Sequence, residues 1–83
     1  MITIRYFARL REELGTGEEQ IALPDGVTTV AGIRDWLSDR GSPWKETLSA
    51  PAVLVAVNHE ACGPAAPVAD GDEVAFFQPV TGG

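Results

Sequence analysis

Apolar and polar residues alternate from the second position onward: Ile2, Ile4 and Tyr6 share one face of an extended segment, and Thr3, Arg5 and Phe7 share the other. This period predicts a first strand. The pattern then changes to helix formers in ARLREEL, where Leu10 and Leu14 stand four apart. Gly15 occupies the place where a left-handed helix end favours a residue without a β-carbon. A short helix is expected there, followed by a GTG turn, a second strand in EEQIAL and a Pro24-Asp25-Gly26 turn. Thr29 has the chemistry of an N-cap, and Val30, Ile33, Trp36, Leu37 and Arg40 follow at helical spacing up to Gly41. Their one-sided apolar stripe suits a helix lying on a sheet. Ser42 and Pro43 predict a restart, the serine as cap and the proline at the first helical position, carrying Trp44 and Leu48 inward.

VLVAVN is β-branched and almost continuously apolar, the signature of a central strand whose faces are both covered, or of which one meets a partner. Asn58-His59-Glu60 makes a turn into a short return strand near Ala61. CGPAAPVADGD reads as loop, punctuated by Gly63, Pro64, Pro67 and Gly71, and EVAFF is the last strand. The order is strand, short helix, strand, long helix, short helix, strand, turn strand, strand. Right-handed crossover makes a mixed sheet the natural solution, with the first and last strands as central neighbours and helices packed on one face. The expected class is α+β, in the β-grasp or ubiquitin-like arrangement. The domain is expected over 1–78, with 79–83 a flexible C-terminal tail ending in Gly-Gly. Pro79, which cannot donate to a ladder, marks where pairing stops.

Length and charge narrow the function. Of 83 residues 45% are hydrophobic, enough for one domain, and such a domain buries about 60 to 65% of its unfolded surface. The single cysteine, Cys62, allows no internal disulfide, which agrees with a reducing, cytoplasmic setting. Neither an export signal nor a membrane span is read, so no membrane partner is expected. Twelve acidic residues against six basic ones give a net charge of −6. That field repels phosphate backbones, so nucleic acid is not an expected partner, whereas a basic protein surface would attract the domain.

Side-chain chemistry is sparse. His59 reads as a solvated turn residue, and one histidine with one cysteine would leave two zinc positions to carboxylates. No metal is expected. Asp70-Gly71-Asp72-Glu73 lacks the alternating ligands and closing glutamate of a calcium loop and reads as a tight turn. No catalytic triad can be assembled around the one histidine, no glycine-rich phosphate loop occurs, and Cys62 has no neighbouring base to activate it.

What remains is the chain end, FFQPVTGG, and the surface beside it. Gly82 and Gly83 carry no β-carbon, so a narrow channel could admit the bare main chain up to the α-carboxylate of Gly83. Ordering such a tail costs about 1 to 2 kcal/mol per residue, reduced where Pro79 fixes its own φ. In the last strand Val74 and Phe76 point one way, Ala75 and Phe77 the other. With Phe76 facing the helices, Phe77 joins Phe7 on the open face as an apolar patch suited to partner docking.

"RYFARLRE", "VAVN" and "DGDEVAFFQPVTGG" together resemble the family of small, sulfur-carrying subunits of molybdopterin synthase. The ending is the most specific part. Gln78 stands where the family pattern often has a first proline, and the loop around Cys62 is less typical. The resemblance implies a mechanism. An ATP-dependent activating enzyme adenylates the carboxylate of Gly83, and a sulfur donor protein converts it to a thiocarboxylate. The tail then enters the large, catalytic subunit and gives its sulfur to cyclic pyranopterin monophosphate, building the molybdopterin dithiolene of the molybdenum cofactor. On that resemblance Gly83 bears the sulfur, and Gly82, Thr81 and Val80 form the threaded lead. Phe77, Phe7 and Arg11 are partner contacts. The chain itself is then a non-catalytic sulfur-donor subunit that binds no cofactor, and ATP serves the activating enzyme. The same tail would also suit a sulfur carrier for thiamin thiazole synthesis, a ubiquitin-like protein modifier, or a plain interaction domain.

Overall fold

The computed structural model describes residues 1–79, and the functional residues expected at Val80, Thr81, Gly82 and Gly83 lie outside that range. Eight elements follow the predicted order: β1 (Ile2–Tyr6), α1 (Arg9–Leu14), β2 (Glu18–Ile21), α2 (Val30–Ser38), α3 (Trp44–Ser49), β3 (Leu54–Val57), β4 (Glu60–Cys62) and β5 (Glu73–Phe77). The strands make one sheet in the order β2-β1-β5-β3-β4. Strands β1 and β5 pair in parallel, and the other pairs are antiparallel. This is a β-grasp fold.

Register decides which side chains share a face. Ile4 lies opposite Val74, Tyr6 opposite Phe76, Ile2 opposite Ile21, and Val55 opposite Phe76. One face therefore collects Ile2, Ile4, Tyr6, Ile21, Val55, Val74 and Phe76, and these form a single core with Leu10, Val30, Ile33, Leu37 and Leu48 from the helices. Burying each large apolar side chain contributes about 1.5 to 3 kcal/mol. Packing on this scale, more than helix propensity, holds helices as short as α1 and α3 in place.

The helix ends are closed by local chemistry. Gly15 sits at φ 77°, and its N–H donates to the Arg11 carbonyl at 2.9 Å. Thr29 Oγ1 accepts from the Gly32 N–H at 3.3 Å, as an N-cap should. The N–H groups of Val30 and Ala31 donate to the carbonyls of Ala66 and Pro64 at 3.0 and 2.9 Å. A loop without regular structure thus satisfies the orphan donors at the start of α2.

Three expectations are corrected. Helix α2 stops at Ser38, with Asp39 as its C-cap, and Trp36 is 37% exposed rather than part of the core stripe. The Arg40 guanidinium accounts for its placement: Cζ lies 5.2 Å from the Trp36 ring centroid and 4.5 Å from that of Trp44, so the exposed indole has a cation to stack on. Ser42 does not cap α3; Pro43 holds that position, and the Ser42 hydroxyl donates to the Glu46 carboxylate at 2.9 Å. The VLVAVN strand is interior but not central, because β5 pairs with both β1 and β3 and takes the middle of the sheet.

Arg40 also closes a polar network beneath the helices. Its Nη1 and Nη2 donate to the two carboxylate oxygens of Glu19 at 2.9 and 2.8 Å, and the Tyr6 hydroxyl donates to the same carboxylate at 3.0 Å. The bidentate pair ties the end of α2 to β2. Arg40's hydrogen bonds hold the Glu19 carboxyl below its ordinary value. Burial, reinforced by the Glu19 charge, pushes the Tyr6 phenol well up.

Candidate functional site

Strand β5 separates two environments by alternation. Val74 and Phe76 enter the core, while Glu73, Ala75 and Phe77 lie on the face away from the helices. Phe77 is paired with Leu54, and Ala75 lies between Arg5 and Ala56. The N–H of Phe7 donates to the Phe76 carbonyl at 3.2 Å, which carries the β1–β5 ladder one residue beyond Tyr6 and sets the Phe7 ring on the open face. Leu54, Phe77 and Phe7 thus form an apolar row across β3, β5 and the end of β1. Leu54 is 44% and Phe7 43% exposed, with Phe77 half-buried between them. Ala56 and Ala75 lie beside the row as a low, buried floor. Large exposed side chains above small ones make a surface that a flat apolar partner can cover.

The structure therefore brings Phe7 and Phe77 to one face, as the alternation predicted, and adds Leu54. Sequence reasoning missed Leu54 because Val53 to Val57 hold no polar residue to mark which side looks outward; its parity with Ala56 and with the polar Asn58 that follows was the available signal. Arg11 stands elsewhere. It is exposed on α1, and its Cδ lies so near Gly17 that a β-carbon there would approach it to 2.8 Å. The strand that carries Phe77 runs directly, in sequence, into Gln78 and the glycine-ended segment.

The residues weighed for other chemistry sit apart from this row. Asn58 and His59 take left-handed conformations, φ 50° and 71°, in the β3–β4 turn. Asn58 Nδ2 donates to Asp72 Oδ1 and its Oδ1 accepts from the Glu73 N–H, both at 3.0 Å. Asp72 Oδ2 accepts from the Ala69 N–H at 2.8 Å. The Asn58 hydrogen bond, helped by that N–H, holds the Asp72 carboxyl below its ordinary range. The acidic stretch is thus a turn latched to its neighbour. Cys62 is half-buried, its thiol donating weakly to the Val55 carbonyl at 3.9 Å, and lines a cleft of about 300 Å³ with Val57, Glu60, Ala66 and Pro67. Among the described residues no group of three or more His, Cys, Asp or Glu is placed to hold a metal, and no helix is long and apolar enough to cross a membrane.

Comparison with known proteins adds to this geometry. The ThiS family model matches residues 4–83. Over all of this chain and all of each relative, the sequence is 37% identical to the molybdopterin synthase sulfur carrier subunit of Haemophilus influenzae and 39% identical to that of Escherichia coli. In the crystal structure of the Amycolatopsis orientalis BexX/CysO complex, one chain matches with a TM-score of 0.75 at 26% identity, with all of both chains covered.

Proposed function

Because the chain belongs to the ThiS family and is related end to end, at 37 and 39% identity, to two sulfur carrier subunits of molybdopterin synthase, we propose that it performs that role. The end-to-end identity is the observation that carries the reading. The open apolar row beside the start of the tail segment supports it. In this reading an activating enzyme joins a carboxylate oxygen of Gly83 to the α-phosphorus of ATP, and pyrophosphate leaves. A carboxylate is a poor electrophile, and the mixed anhydride with AMP supplies the leaving group that it lacks. Sulfur delivered at the sulfide level by a donor protein then attacks the carbonyl carbon; the C–S bond forms as the C–O bond to AMP breaks, AMP leaves, and the thiocarboxylate remains.

The loaded tail enters the large subunit and delivers its sulfur to cyclic pyranopterin monophosphate. The carrier contributes the reacting atom, and the large subunit contributes the catalytic side chains. Leu54, Phe77 and Phe7 dock on that subunit, while Val80, Thr81 and Gly82 form the lead that a narrow channel can accept. Arg11, on α1 and outside the apolar row, is a contact for one of the protein partners. The occurrence of a similar chain in the BexX/CysO complex supports docking on a second protein. The reading places the chain in the cytoplasm. Thiazole synthesis or protein modification would use the same tail, but full-length identity with the molybdopterin synthase subunits favours the first role.

Coexpression with the activating enzyme and a sulfur source tests this directly. Intact-mass measurement should show one oxygen replaced by sulfur at Gly83. Appending one residue after Gly83 should abolish loading while leaving the fold intact. An unmodified terminus, under conditions that convert a control carrier, would overturn the proposal.

A further inference from the structure

A charged bar runs beside the apolar row on the open face, with Arg5 at its middle. Its Nε lies 3.3 Å from the Glu18 carboxylate and its Nη1 3.7 Å from that of Glu73. The same guanidinium sits 5.5 Å from the centroid of the Phe7 ring. His59 closes the far end, Nε2 3.6 Å from Glu73. Register explains the grouping. Arg5 is paired with Glu18 on one side and Ala75 on the other, and the small Ala75 leaves room for the guanidinium to reach Glu73, two positions away on the same face.

Two carboxylates share one guanidinium, so with His59 neutral the bar carries one excess negative charge. Glu18 is exposed and Arg5 and Glu73 are partly so, and ion pairs that water reaches contribute little to folding, so fold stability is a weak reason for them. Border charges on a docking face act chiefly on encounter and orientation, while apolar contacts set how long a complex lasts.

We propose that this bar orients the large subunit on the open face, and that the edge of the partner meeting it is cationic. The inference rests on the carrier reading above. Arg5 is the positioning residue: it holds the two carboxylates at a fixed spacing and stacks on Phe7, joining the charged border to the apolar row.

The test is association kinetics of the full chain with the large subunit from the same organism, at low and high salt. One unit charge at about 10 Å in water changes encounter about twofold. Glu18→Gln and Glu73→Gln should therefore each lower the association rate constant about twofold at low salt, and together about fourfold. At about 0.5 M salt the effect should vanish, because screening then acts within a few ångströms. Arg5→Met has the opposite sign. It uncovers both carboxylates and speeds association, while the loss of the cation over Phe7 speeds dissociation. Thermal melts run alongside show that each variant is folded. Association rates that the carboxylate variants leave unchanged, or raise, overturn this proposal alone. A wild-type chain that does not bind the large subunit overturns both this proposal and the carrier reading.

Discussion

Phe76 and Phe77 adjoin in sequence but face opposite sides of the sheet, so alanine at each position should give opposite phenotypes. Phe76 is fully buried, its ring stacked on Tyr6 with centroids 6.1 Å apart and planes 13° from parallel. Truncating a buried phenylalanine costs about 3 to 5 kcal/mol, with the lost aromatic pair included in that figure. A domain of this length has about 4 to 12 kcal/mol of total stability. Phe76→Ala should therefore remove about a quarter or more of it and lower the urea midpoint by about 2 to 5 M, for an m-value of about 1 to 1.5 kcal/mol/M. Phe77→Ala, at a half-buried position on the open face, should cost about 1 kcal/mol or less. It should instead weaken binding to the large subunit about tenfold, as expected when a central aromatic contact is lost. Urea unfolding followed by tryptophan fluorescence gives the stabilities, and titration calorimetry gives the affinities. Phe76→Leu keeps most of the packing and serves as a folded control. Equal destabilisation at the two positions would refute the assignment of faces, and a folded Phe77→Ala chain with unchanged affinity would refute the docking role.

Other outcomes follow from the same geometry. Leu54→Ser should change the melting temperature little, because the side chain is 44% exposed, yet weaken docking as Phe77→Ala does; a large drop in melting temperature would contradict its place on the surface. Tyr6 is the only tyrosine, and its phenol is raised above the ordinary 10.0 by burial and by Glu19. Its contribution to stability is complete below that value and is lost as pH rises toward the higher folded value. Ultraviolet titration at about pH 11 should show phenolate in the urea-unfolded chain and none in the folded one. Glu19 is shifted the other way, below the ordinary 4.5, mainly by Arg40. Its contribution is present at neutral pH and is lost as pH falls below 4.5 through the folded value, so Glu19→Gln should flatten that part of the stability curve measured by urea unfolding. An unchanged acid limb would remove Glu19 from the account.

Much of the fold could be read from local patterns. The alternation in ITIRYF, the Leu10–Leu14 spacing and the cap chemistry of Gly15 and Thr29 depend on neighbouring residues, so they survive in a one-dimensional reading. The departures lie where a distant group intervenes. Trp36 has helical spacing to the core stripe, but Arg40, held by Glu19 from β2, gives it a place at the surface. Ser42 has a capping side chain whose hydroxyl goes to Glu46 instead. The loop around Pro64 and Ala66 showed only punctuation in the sequence, although its carbonyls close the start of α2.

The parity of the open face follows from residue order alone. Once Ile2, Ile4 and Tyr6 are assigned to the core, Phe7 must point away, and Val74 with Phe76 forces Phe77 outward, because successive side chains of a strand alternate. The bareness of Gly82 and Gly83 is equally plain before folding, since glycine carries no side chain in any conformation. Which residues stand side by side was settled by folding. Pairing β5 with β3 placed Leu54 beside Phe77, and pairing β1 with β2 on one side and β5 on the other set Arg5 within reach of Glu18 and Glu73. Strand register is a long-range property, fixed by the whole sheet burying its apolar set at once, and no local window of the chain contains it.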